Sequence, residues 1–250
     1  VIEAVGEGAT RFSAGDAVFG SAGLRMGAYG EYLTLSEKAT IVDKPANLSF
    51  EEAAAVPLGA LNALHFMRRA KTQPGDQVLI NGAGGSIGAF GVQIAKQMGA
   101  EVTGVDCGAK EALVRGIGAD HFVDYQREDF TRSDARYDVI FDMVVKSSYS
   151  RCLASLKPGG RYLMGNPRFT DMLRSAPSTW LSDKEVIFAF AGEKVRELRA
   201  LKEMLERGEL TVPIDRVFPP EQAAQAHRLV ETEQRVGAIV ISHRPEATTA

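Results

Sequence analysis

Cysteine is nearly missing from this sequence: Cys107 and Cys152 are the only two in 250 residues. Two isolated cysteines build neither a disulfide framework nor a zinc cluster, and they suit a reducing, cytoplasmic setting. Histidine is equally thin. His65, His121, His227 and His243 are scattered without ligand spacing, so no metal site is read from them. No apolar run approaches the roughly 20 residues that a membrane helix requires. Basic charge is not in excess: Lys and Arg number 29 against 32 Asp and Glu, for a net charge of −3. That leaves no electrostatic footprint for nucleic acid and no basic face for a membrane. Repeats, low-complexity tracts and heptads are absent. The chain starts at Val1 without methionine, so an upstream segment is expected to be missing, and whether it carries a targeting signal stays open.

What is present suits an ordinary globular chain, with 45% hydrophobic and 24% charged residues. The length allows one large domain or two small ones. "VIEAVGEGATRFSAGDAVFG" reads as strand, turn, strand, with short strands expected near Asp16–Gly20 and Gly30–Leu35. Ser49 with Glu52 three residues later is a capping-box pattern that predicts a helix start. Pro57 predicts a break or kink before helical spacing resumes in "LNALHFMRRA". From Thr72 strands and helices alternate: "VLI", "SIGAFGVQIAKQMG", "EVTGVD", "KEALVRGIG", "HFVDY", "YDVIFDMV", "SRCLASL", "GRYLMG". Such alternation calls for a parallel sheet covered on both faces. "EVIFAFA", a charged helix "EKVRELRALKEMLERG", "IDRVF", the helix "PEQAAQAHRLVE" and a last strand "GAIVIS" follow, before a polar tail "HRPEATTA" expected to fray.

Between the first strand and helix of this series lies Ala83-x-Gly85-x-x-Gly88. In a dinucleotide-binding turn the first small residue permits the tight turn. The second admits the pyrophosphate to the backbone, and the third lets helix and strand pack closely. Ala83 replaces the first glycine, small for small. Gly84 keeps the loop uncluttered, and Ser86 offers a hydroxyl to phosphate. At Ser86, Ile87 and Gly88 the helix start presents free N–H groups and a partial positive charge. Asp106 ends the second strand, about 20 residues beyond the turn, where a carboxylate accepts from ribose hydroxyls and suits NAD. Lys110 lies four residues on and suits the 2′-phosphate of NADP. The two signals conflict, and both cofactors stay open with a slight lean to NADP, against which Asp106 would repel a 2′-phosphate if it faces the ribose.

The ordered stretches "GDAVFG", "GAYGEYLTLSE", "AAAVPLGALNALHFM", "PGDQVLINGAGGSIGAFGVQIAK", "GADHFVDY", "YDVIFDMV", "LKPGGRYLMG" and "GAIVIS" span nearly the whole chain. In that order they resemble the medium-chain dehydrogenase/reductase superfamily. The likeness is strongest to its zinc-free, quinone-oxidoreductase-like branch, which includes many NAD(P)-dependent alcohol dehydrogenases. The resemblance implies an α/β fold, with a Rossmann doubly wound parallel sheet over residues 49–192. It also implies a partial GroES-like β substrate domain over residues 1–48 and 193–250, the family's N-terminal portion being absent. It implies a homodimer formed by extending the sheet edge to edge.

Two departures from the family pattern bear on chemistry. Zinc-dependent members place a cysteine in the segment matching "VPLGALNAL", where Gly59 stands here, and "GSAGLRMGAYGEY" has no counterpart of the four-cysteine structural zinc loop. No zinc is therefore expected. After the fourth strand the family often has Asp-x-Val-Gly, whereas this chain has Asp142-Met143-Val144-Val145. By resemblance, Asp142 and Val144 belong to a loop that approaches the cofactor. Asn62 falls near the nicotinamide, Tyr125 near the adenosine end and Gly165 near the nicotinamide ribose. The implied activity is hydride transfer from NAD(P)H to a conjugated carbonyl, an enone or a quinone, as the small-molecule substrate. No catalytic residue is named. Tyr29 and Tyr32 are read either as proton donors or as core residues of the β domain. Two rival classes remain. A non-catalytic cofactor-binding fragment is one. The other is a Rossmann-like methyltransferase, which "LKPGGRYLM" resembles but the neutral first-strand end "LINGAGG" disfavours.

Overall fold

The computed structural model describes residues 1–23, 27–173, 175, 182–188 and 194–243. The chain divides into two compact units, Val1–Leu61 with Gly192–Ala250, and Asn62–Ala191. Helix α1 (Phe50–Arg69) carries the boundary between them. Its start is the capping box read from sequence. Ser49 N donates to Glu52 Oε2 at 2.8 Å and Glu52 N donates to Ser49 Oγ at 3.1 Å. The expected break at Pro57 is not found: α1 runs through it as one helix. Proline removes one backbone bond, and the burial of Ala53, Val56, Ala60 and Leu64 holds the helix regardless.

The second unit is a six-stranded parallel sheet. Its strands are β3 (Gln77–Asn81), β4 (Glu101–Asp106), β5 (His121–Asp124), β6 (Tyr137–Asp142), β7 (Leu156–Met164) and β8 (Glu185–Phe188). The spatial order is β5-β4-β3-β6-β7-β8. Helices α2 (Ser86–Gln97), α3 (Glu111–Gly116) and α4 (Tyr149–Ala154) lie in the connections. Val78, Leu79 and Ile80 of β3 have no exposed surface, as a strand covered on both faces demands. Phe66 of α1 stacks on Phe141 of β6 with ring centroids 5.0 Å apart. The chain winds outward from β3 to β5, then returns to β6 and winds the other way. The switch point lies between β3 and β6, where ligands bind in such sheets. Residues 189–191 of the expected strand "EVIFAFA" and the tail from residue 244 lie outside the described residues.

The first unit holds two small pairings. β1 (Val18–Gly20) runs antiparallel to β2 (Ile41–Asp43), and β9 (Ile214–Phe218) runs parallel to β10 (Ala238–Ile241). Helix α5 (Val195–Glu206) buries Leu198, Leu201 and Leu205 on one stripe. Helix α6 (Ala223–Glu231) connects β9 to β10. Two expected strands are not formed. The first residues form no strand: Ile2 N donates to Asp16 O, Gly15 N to Ile2 O and Ala9 N to Gly6 O. Gly30–Leu35 forms no strand. Tyr29 and Tyr32 are 54% and 73% exposed, so neither is a core residue.

No described helix is long and apolar enough to cross a membrane. Ser49→Ala is expected to lower stability by about 1 kcal/mol, and Phe141→Ala, at a fully buried position, by about 3 to 5 kcal/mol. Urea midpoints of the two variants check both values.

Candidate cofactor site at the sheet switch point

The glycine turn joins β3 to α2. Gly82 has φ +88, a backbone that glycine adopts freely. Gly85 is the N-cap of α2 and its carbonyl accepts from Ala89 N at 2.8 Å, while Gly85 N donates to Gly82 O at 3.1 Å. A Cβ built on Gly88 would lie 2.1 Å from Gly82 O. No side chain fits there, so helix and strand approach at backbone distance. Ala83 is fully buried. Ser86, Ile87 and Gly88 form the first turn of α2, whose leading N–H groups have no intrahelical acceptor.

Asp106, at the end of β4, reaches back to this turn. Its Oδ2 accepts from Gly84 N at 2.8 Å and its Oδ1 from Cys107 N at 2.9 Å. Lys110 Nζ stands 3.1 Å from Oδ1, and both side chains are buried. The two residues that sequence set against each other thus neutralise each other. The stem of Lys110 covers Gly84: a Cβ there would meet Lys110 Cδ at 2.5 Å. Tyr125 N donates to Asp106 O at 3.2 Å, and its side chain is largely exposed. With Gln126, Arg127, Glu128, Asp129, Arg132 and Ser133 it lines a surface hollow of about 440 Å³. None of the glycine-turn residues lines that hollow.

Across the switch point a second cluster surrounds Asp142, 4% exposed at the end of β6. Its carboxylate accepts from Asn81 Nδ2 at 3.0 Å, Val144 N at 2.9 Å, Ser147 Oγ at 3.0 Å and Tyr162 OH at 2.7 Å. Cys152 Sγ lies 3.9 Å away. Burial raises the Asp142 pKa against these hydrogen bonds, which act to lower it. Burial, with Asp142 beside it, pushes the Cys152 thiol up to about 12. The same two causes push the Tyr162 hydroxyl up. The loop after β6 lies over the glycine turn. A Cβ on Gly82 would sit 3.3 Å from Met143 Cβ and 3.6 Å from Val144 Cγ2. Gly165, just past β7, donates its N–H to Asp142 O at 2.8 Å, and a Cβ there would meet Met143 Sδ at 2.2 Å.

The structure therefore gathers the predicted residues into two clusters: Ala83 to Gly88 with Asp106 and Lys110, and Asp142 with Val144 and Gly165. Gly82 and Met143 join them. Asn62 sits half-buried on α1. Asn81, Ser147 and Tyr162 were not singled out from sequence. The available signal was Asn81, a polar residue closing a strand after the apolar run Val78–Ile80.

The family model for zinc-binding dehydrogenases matches residues 117–241. The quinone oxidoreductase of Pseudomonas aeruginosa is 29% identical, over 96% of this chain and 78% of its own length. That of Sus scrofa is 30% identical, over 96% of this chain and 77% of its own. The solved quinone oxidoreductase of Coxiella burnetii superposes with a TM-score of 0.87 at 27% identity, covering 95% of this chain and 75% of that one. The chain belongs to the medium-chain dehydrogenase/reductase superfamily, in its quinone-oxidoreductase-like group.

As a family member it is an oxidoreductase enzyme. The glycine turn fits a nicotinamide dinucleotide, because the Gly82–Gly88 contact leaves the helix start open to phosphate. Among the described residues no group of three or more His, Cys, Asp or Glu is placed to hold a metal.

Gly88→Val is expected to destabilise the protein by about 1 to 3 kcal/mol. Gly116→Ala, where a Cβ meets nothing within 4 Å, is expected to be neutral or slightly stabilising. Thermal unfolding of the two variants separates backbone contact from mere glycine flexibility.

Proposed function

We propose that the protein reduces a conjugated carbonyl, a quinone or an enone, with a reduced nicotinamide dinucleotide and without zinc. The observation that carries this is the glycine turn at the switch point, with Gly88 against Gly82 O. The first turn of α2 binds the pyrophosphate through its N–H groups and its positive end. Gly84 and Gly85 admit the phosphates, and the 143–147 loop with Gly165 borders the nicotinamide side. A bound reduced nicotinamide supplies the hydride. Conjugation makes the acceptor carbon electrophilic without a Lewis acid, which suits Gly59 where zinc-dependent members have cysteine. The similarity to quinone oxidoreductases supports the same acceptor class.

The Asp106–Lys110 pair favours NADH over NADPH. Lys110 is already neutralised at 3.1 Å, and a 2′-phosphate would add negative charge beside a carboxylate. Asp106→Ser frees the ammonium and is expected to shift preference toward NADPH. Thermal-shift titration with NADH, NADPH and S-adenosylmethionine tests this, since a ligand of the folded state raises the melting temperature. NADH is expected to give the largest shift with the wild type. A shift with S-adenosylmethionine alone would overturn the dehydrogenase assignment. Loss of NADH absorbance that depends on an added quinone and survives a chelator is expected. Inhibition by the chelator would sink the zinc-free mechanism. The first unit is proposed as the GroES-like substrate domain. The outer strand β8 is proposed as the edge that extends the sheet in a homodimer, which light scattering would read as twice 27.0 kDa.

A further inference from the structure

Five donors converge on the carboxylate of Asp142, and they come from four parts of the unit. Asn81 ends β3, Tyr162 belongs to β7 and Cys152 to α4. Val144 N and Ser147 belong to the loop after β6. A carboxylate has about four lone-pair sites and donates nothing when ionised, which matches this shell of donors. Asparagine would turn an NH₂ toward one of them. Burying a carboxylate with no cation among these partners is costly, yet the loop it fastens is the one that closes on Gly82 and Gly165. Met143 N adds a bond to Asn81 O at 3.1 Å, and Asn81 Nδ2 also reaches Ser147 Oγ at 2.9 Å.

We propose that ionised Asp142 is a positioning residue for the nicotinamide cofactor, holding the 143–147 loop at the switch point and so setting cofactor affinity without touching the cofactor. This rests on the dinucleotide site proposed above. The side chain is too deeply buried to act as a direct ligand, so its effect passes through Val144 and Ser147. The other titratable groups that face it, Tyr162 from β7 and Cys152 from α4, are both pushed upward and stay protonated. Beyond them Arg151 and Asp129 pair with each other at 2.9 Å. Asp142 is thus the group of this network that takes up a proton on acidification, above the ordinary carboxylate range because it is buried. On acidification an acceptor is lost and the loop is released, so cofactor affinity falls.

The test is a fluorescence titration of NADH into the full chain, for wild type, Ser147→Ala, Tyr162→Phe and Asp142→Asn. Ser147→Ala and Tyr162→Phe are expected to weaken NADH binding by about three- to ten-fold, with each variant fully folded at the assay temperature when NADH is absent. With a quinone acceptor, the KM for NADH rises and kcat is held. Wild-type affinity declines on acidification, and the decline is gone in Asp142→Asn. If that variant does not fold, the Ser147 and Tyr162 variants decide. Wild-type affinity in folded Ser147→Ala and Tyr162→Phe would overturn the proposal. So would affinities that merely track the melting temperatures across the series. A wild type that binds no NADH at any pH would instead overturn the dinucleotide site itself, and this inference with it.

Discussion

Gly88 lies so close to the carbonyl of Gly82 that any side chain would enter the oxygen's van der Waals shell. The contact brings the first turn of α2 to the end of β3 at the point where the sheet reverses its winding. Everything that follows depends on that approach. It aims the helix N-terminus at the crevice. Met143 and Val144 pack onto Gly82, and Met143 Sδ fills the place that a Cβ on Gly165 would take.

Two buried carboxylates then set the walls, and they are compensated in different ways. Asp106 has a cation, Lys110, and two backbone donors. Asp142 has only hydrogen bonds from neutral groups. A charge without a counter-ion in a poor solvent must be held by many oriented dipoles, and here those dipoles tie β3, β7 and the 143–147 loop to one atom pair. In the proposed site the first carboxylate borders the adenosine side of the turn and the second the opposite side. Both sit at strand ends, because that is where a parallel sheet leaves the backbone bare of cross-strand partners.

Much of this was legible without coordinates. The capping box at Ser49 and Glu52, the alternation from Thr72 onward and the close packing at Gly88 are local, and each is decided within a short window by backbone chemistry. Asp106 and Lys110 were legible as a conflict, not as a pair. Spacing places both near the turn but says nothing about whether they face a ligand or each other. The misjudged elements lie where partners are distant. Gly30–Leu35 has strand composition, but a strand needs a neighbour, and among the described residues it has none. Pro57 has the power to break a helix, yet tertiary burial of the residues around it outweighed one lost bond. Tyr29 and Tyr32 carry the composition of a core and lie exposed.

By itself the sequence determined the dinucleotide-type turn, the order of strands and helices, and the family to which the chain belongs. These depend on periodicity, turn residues and motif order, all written along the chain. Only the tertiary structure decided that Asp106 closes on Lys110, and that Asp142 gathers Asn81, Ser147 and Tyr162. The reason is physical: Asn81 and Asp142 are 61 residues apart and become neighbours only because the chain crosses back to lay β6 beside β3.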